Sequence, residues 1–412
     1  MRWKHDGVQR WNAERLIVGV EEVLRCWDQD PARAAARLSG LLRGATPRAV
    51  VVLEGAYRGR RRSLATTLGA GVSTLGEDYG RHAPAVAALL TFDRSGYLRE
   101  AGVRWLATSG ELFTLPFLLL RLNDPVDPVR RQATAAVHTR LTVVHGASLV
   151  QLLPLIEGLG ARRRAGPVVR TIGELLIDGD PAGRAALWAG ARGDDTEVAA
   201  SCLRMLATVE PAACVEQAVA TGDPALRHWA TGVATARGLD PAVQRRLLPL
   251  LESDPNPRIR GKALRARTHH PDSEPHLRRA LLDPDARVRY LARTSLRALG
   301  HTSSAALYRA TLTNADATRD AIIGALAGLA DMGTRADATQ LVAFLDHPNA
   351  RIRGEAWRAL GTLDPDTFTA RTDQLRADPS GKVRRHLPTG RCGRNTDGHQ
   401  TAVSTKRIRR VN

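Results

Sequence analysis

Lysine is nearly missing from this chain of 412 residues: it occurs only at Lys4, Lys262, Lys382 and Lys406, although Lys and Arg together number 60 against 42 Asp and Glu. The formal charge of +18 is therefore carried by arginine. A balance of that sign points to nucleic acid, acidic proteins or an anionic surface as partners. An arginine skew beside abundant Ala and Gly also fits GC-rich coding, and both origins stay open at this level. Aromatic residues make up only 4% of a chain that is 43% hydrophobic, so the core has to come from Ala, Leu and Val. Closely packed helices suit that supply, and a sheet rich in aromatic and β-branched residues does not.

Cysteine is scarce too. Cys26, Cys202, Cys214 and Cys392 form no CxxC pair and have no histidine knuckle, which reads as reduced, unmetallated thiols. No long apolar run is present: Leu112 to Leu122 is too short to cross a bilayer, and Met1 to Trp11 carries charge without an apolar signal region. A cytoplasmic protein is expected. Neither a phosphate-binding G-x-x-x-x-G-K-[ST] loop nor a dinucleotide G-x-G-x-x-G run occurs, and no cofactor or metal is expected.

What the chain does have is a recurring phrase. Asp283-Pro284-Asp285-Ala286-Arg287-Val288-Arg289 has counterparts at Asp124-Pro125 with Val129-Arg130, Asp223-Pro224 with Leu226-Arg227, Asp254-Pro255 with Ile259-Arg260, Asp346-His347-Pro348 with Ile352-Arg353, and Asp378-Pro379 with Val383-Arg384. Successive turns lie 31 (Asp223 to Asp254), 29 (Asp254 to Asp283) and 32 (Asp346 to Asp378) residues apart. A fixed period in this range marks a repeat array, in which each unit buries its apolar face by stacking on the next. About ten turns fit, near Asp93, Asp124, Arg162, Asp194, Asp223, Asp254, Asp283, Asn314, Asp346 and Asp378. Those near Arg162, Asp194 and Asn314 are degenerate. Residues 91–387 read as the array and 1–90 as an N-terminal helical region with runs at Glu14 to Trp27, Pro31 to Leu42 and Pro84 to Leu90. Residues 388–412 read as a disordered basic tail ending in Lys406, Arg407, Arg409 and Arg410.

Each unit reads as helix A, a tight turn, helix B and a return loop. Glu274 to Leu282 gives a helix A, the turn proline breaks it, and the turn Asp is placed to cap helix B. Arg287 to Leu299 is a helix B, with Gly300 positioned to end it. Counting the Val of Val-Arg as position one, the stripe at positions one, five, eight and twelve holds Val288, Ala292, Ser295 and Leu299, or Ile352, Ala356, Ala359 and Leu363. At about 100° per residue these share one face, expected to be the buried one.

The D-P-x-x-x-V-R-x-x-A phrase, whole at Asp124, Asp254 and Asp283, resembles the HEAT and HEAT-like repeat family, specifically the short bacterial phycobilin-lyase-type repeat. The Asp93 unit departs from it, with Arg94 for Pro and Leu98-Arg99 for Val-Arg. The resemblance implies an all-α α-solenoid, a right-handed superhelix of helical hairpins whose helix B face lines a groove. It also implies an Asp–Arg ladder that makes Arg130, Arg260, Arg289 and Arg353 structural.

The side of helix B away from the buried stripe is cationic. Arg131 and Arg385 hold position three, Arg104, Arg265 and Arg358 position seven, and Arg293 and Arg297 positions six and ten, with Glu100 and Glu355 as the acidic exceptions. Tyr290 and Trp357 are placed beside them as stacking surfaces. The expected function is a non-catalytic scaffold that binds an acidic protein or peptide through this face, with nucleic acid as the alternative partner. Among enzymes with such repeats, alkylpurine DNA glycosylases use a basic aromatic groove, but no catalytic Asp can be matched here. The metal-dependent hydroxylases carry His-Glu pairs, and this chain has none. His269 and His270 read as solvent-exposed loop residues, and Cys202 and Cys214 as buried small apolar residues.

Overall fold

In five of the repeated turns a carboxylate folds the chain before a helix starts, while His347 Nδ1 and the Asn314 amide oxygen take that place in two others. Asp93, Asp124, Asp254, Asp283 and Asp378 each accept a hydrogen bond from the backbone N–H two residues on, at 2.7–3.0 Å. The helix cap then falls to that later residue: Asn256 accepts from Arg258 N at 3.0 Å and Asp285 from Arg287 N at 2.9 Å. The expectation that Asp283 itself caps helix B is thus corrected by two residues. A proline or polar residue separates the turn-former from the cap and gives the chain room to reverse. Asp223, whose turn is shorter, does cap directly, accepting from Ala225 N and Leu226 N at 2.8 and 2.9 Å.

In this computed structural model, residues 2–58, 83–142, 146–160, 164–179, 181–301 and 303–387 are described, with side chains from residue 13 onward. The expectations for the tail, for Cys392 and for the turn at Arg162 lie outside the described residues. Among the described residues the fold is all-α, without strands. Two compact units divide it at Leu251 and Glu252. In the first, Pro84–Leu90 pairs with Gly96–Thr108, Leu115–Arg121 with Asp127–Leu141, Pro181–Ala191 with Thr196–Leu206, and Pro211–Ala220 with Pro224–Ala234. In the second, Ser273–Ala280 pairs with Ala286–Ala298, Ser304–Thr313 with Arg319–Met332, and Ala338–Val342 with Ala350–Leu363. Each unit is a stack of helical hairpins of the α-solenoid class.

The buried stripe of helix B is one turn shorter than its spacing suggests. Val288, Ala292 and Leu296 are buried, as are Ile352, Ala356, Ala359 and Leu360, so positions one, five and nine face the core in both helices and position eight does so at Ala359. Ser295 and Leu363 are half-buried, and Leu299 is 52% exposed. The cause is helix termination. Helix Ala286–Ala298 ends before Leu299, Gly300 takes the left-handed φ of 89°, and His301 N bonds back to Leu296 O at 2.9 Å, which turns the chain away from the core.

Helix Arg319–Met332 departs from the amphipathic plan. Ile323 to Ala330 are all buried, so this helix is apolar on every side, as a central helix must be. Its glycines permit that position. A methyl group on Gly324 would fall inside the contact shell of the Leu282 carbonyl, and one on Gly328 inside that of the Tyr308 ring. Gly324→Ala is expected to lower stability by about 3 kcal/mol, because backbone rather than a mobile side chain blocks the methyl group, and Ala292→Leu by about 1–3 kcal/mol through overpacking. Chemical denaturation followed by circular dichroism measures both, and unchanged midpoints would refute this packing.

Candidate functional site

Most of the arginine in these hairpins is committed to the fold. Arg260 donates from Nε and Nη2 to the carboxylate of Asp283 in the next turn, both at 2.7 Å, and from Nη1 to the Asp254 carbonyl of its own turn at 2.8 Å. Arg353 repeats this with Asp378 at 2.7 and 3.0 Å and the His347 carbonyl at 2.9 Å. Arg99, in the unit that departs from the phrase, also repeats it, with Asp124 at 2.8 and 2.9 Å and the Asp93 carbonyl at 2.9 Å. Each guanidinium thus joins two consecutive turns by charge-assisted bidentate bonds.

Two expected ladder members behave differently. Arg130 keeps its own turn's carbonyl, Asp124 O, at 2.8 Å, but its carboxylate partner is Asp127 on the same helix. Arg289 reaches Asp331 instead, at 3.1 and 2.9 Å, since the following turn presents Asn314 in place of a carboxylate. In the first unit, the fully buried Arg121 joins Asp124 at 3.0 Å and also pairs with Glu54. Burial opposes ionisation of Asp124, but the bonds from Arg99 and the Val126 N–H, with the charge of Arg121, outweigh it and hold the carboxyl below its usual range. Asp378 is lowered chiefly by its bond from Arg353.

The candidate binding residues divide against this background. Trp357 is corrected: it is 1% exposed and edge-on to Phe368 with ring centroids 5.7 Å apart, so it is core and offers no stacking surface. Its position borders the buried stripe, and the neighbouring hairpin closes over it. Arg293 is held by Asp331 at 2.9 Å, Arg358 by Glu355 at 2.8 Å and Arg131 by Asp127 at 2.9 Å. Burial would lower the pKa of Arg293, but its bonds to Asp331 and Tyr308 raise it on balance. Arg104, Arg265, Arg297 and Arg385 are exposed and have no acidic partner among the described residues. Tyr290 is 64% exposed. Arg104 and Arg131 belong to the first unit and the others to the second.

On helices Pro257–Arg267 and Ala286–Ala298, three further cations are exposed that the sequence reading does not single out: Arg258, Lys262 and Arg287. They stand at positions zero and four, next to the buried stripe in sequence but turned away from it around the helix. A readable signal was present, because helices Pro257–Arg267 and Ala286–Ala298 contain no Asp or Glu. His270 is also corrected. It is buried, its N–H bonding to Arg267 O at 2.9 Å, whereas His269 is exposed. Cys202 and Cys214 are buried, and burial pushes each thiol up to about 12. Among the described residues no His, Cys, Asp or Glu cluster is arranged to hold a metal, and no helix is long and apolar enough to cross a membrane.

Residues 245–327 match the sequence model of the HEAT repeats family. No curated protein matches the chain. Solved structures that resemble it include the crystal structures of Kap121p and of a mutant of Kap121p. Each is 13% identical over 88% of this chain and 47% of that one, with TM-scores of 0.26 for the first and 0.29 for the mutant. The chain spans about half the length of these neighbours.

Asp124→Asn should cost about 3 kcal/mol, the order expected when one partner of a buried charge network is removed. Because the Asp124 and Asp378 carboxyls are lowered in the folded protein, their contribution is complete above about pH 4 and is lost as pH falls through the lowered values. A urea-denaturation series across acid pH should show Asp124→Asn losing less stability on acidification than the parent. Parallel pH curves would contradict this.

Proposed function

We propose that this protein is a non-catalytic repeat scaffold that binds an acidic protein or peptide through the outward side of its B helices. The observation that supports this reading is the set of arginines left over once the ladder and local ion pairs are satisfied. In the second unit Arg265, Arg297 and Arg385 are exposed without acidic partners among the described residues, and Tyr290 stands exposed among them in sequence. A free guanidinium takes a carboxylate bidentately, and an exposed ring supplies apolar contact area at low entropic cost. Cys26, Cys202 and Cys214 are free thiols, the last two buried, and the reading takes the setting to be cytoplasmic.

The double variant Arg265→Glu/Arg297→Glu is expected to weaken binding of poly-L-glutamate at least about tenfold while leaving the helical circular-dichroism signal intact. Binding by the variant at parental strength would overturn the reading. So would tighter binding of duplex DNA than of poly-L-glutamate, with a log–log salt slope of about −0.9 per phosphate neutralised.

A further inference from the structure

Helices Pro257–Arg267 and Ala286–Ala298 pack side by side, and each sorts its cations by direction. Arg260, Arg267, Arg289 and Arg293 turn inward to Asp283, Glu252 and Asp331. Arg258, Lys262 and Arg265 on one helix, and Arg287 and Arg297 on the other, are exposed and meet no carboxylate among the described residues. Steps of four and three residues place the first three on a single stripe, turned about 100° around the helix from the buried Ile259 and Ala263. Steps of three and seven place Arg287, Tyr290 and Arg297 on the matching stripe of the neighbour. With neither helix contributing an acidic residue, the outward side of the pair carries five exposed cations and one exposed ring.

We infer that this two-helix face docks one short acidic segment of another protein, its carboxylates taken by Arg258, Lys262, Arg265, Arg287 and Arg297 and one apolar side chain by Tyr290. The inference rests on the scaffold reading above and assigns it a location and an occupant. Charge complementarity selects an anionic chain. The size of the patch selects a short one: at 1.5 Å per residue the cations on the first helix stand roughly 4.5–6 Å apart, close to the roughly 6.6 Å between alternate side chains of an extended peptide. The ring count selects a peptide over single-stranded nucleic acid, which binds by stacking successive bases on successive rings. Tyr290 is the one exposed aromatic ring among the described residues of the second unit. Arg260 ties the first helix to the turn that opens the second, and Arg289 and Arg293 tie the second to Asp331, so the outward cations are presented on a rigid surface and little ordering is lost on binding.

The test uses the full chain and a fluorescent ten-residue peptide of alternating Glu with one central Phe, read by anisotropy at low salt. Arg258→Glu/Arg287→Glu should weaken binding at least tenfold. Tyr290→Ala should weaken it severalfold and leave the salt dependence unchanged. Lys382→Glu, on the separate helix Gly381–Arg384, should bind like the parent. Loss of binding in the Lys382→Glu variant with retention in the Arg258/Arg287 variant would overturn this location while leaving the scaffold reading in place. A parent protein that ignores the peptide would overturn both. Preference for oligo-dT over the peptide at equal ionic strength would overturn the assigned occupant. Circular-dichroism melts of each variant confirm that lost binding is not lost folding.

Discussion

A guanidinium that gives one edge to the carbonyls of its own turn and the other to the carboxylate of the next turn sets the spacing of this array. Arg260 with Asp283, Arg353 with Asp378 and Arg99 with Asp124 all do this. The carboxylate is doubly used, since it also accepts the backbone N–H that folds its own turn. Turn geometry and inter-repeat register are therefore set by the same atoms. Small helix B residues such as Ala292 and Ala356 can then pack closely, because the helices they separate are already placed.

Where this device is absent, packing replaces it. No carboxylate in the turn near Asn314 receives Arg289, and the following helix holds Ile322 at the place, four residues past the cap, where the others put the ladder arginine. That helix is buried on all sides along its middle and passes close to Leu282 and Tyr308 by means of Gly324 and Gly328. Asp331 near its end supplies the missing acceptor, shared between Arg289 and Arg293. One repeat has thus exchanged a polar staple for an apolar core helix without breaking the stack.

The all-α class was legible because its signals are local: period, turn proline, cap and apolar stripe. The ladder implied by the repeat resemblance holds at Arg260 and Arg353, while Arg130 and Arg289 take other carboxylates, and Arg99, whose unit lacks the full phrase, joins it unannounced. What sequence could not supply were the non-local partners. Asp331 lies 42 residues from Arg289, and nothing in the spacing marks it as the substitute acceptor. Trp357 borders the buried stripe, and its fate depended on a hairpin that closes over it. Arg258, Lys262 and Arg287 have buried sequence neighbours, which masks them in a linear reading, though adjacent residues on a helix point about 100° apart.

The +18 charge thus separates into two populations. Inward arginines belong to stability, outward ones are those the proposed scaffold reading assigns to recognition, and the two kinds alternate along the same helices. Arg260→Gln and Arg258→Gln, two residues apart, test that division most directly when unfolding free energy and acidic-peptide affinity are measured on both. Arg260→Gln is expected to lose about 2 kcal/mol of stability through its charge-assisted bonds and to keep its affinity. Arg258→Gln should keep its stability and lose affinity. Equal effects of the two substitutions on both quantities would contradict the division.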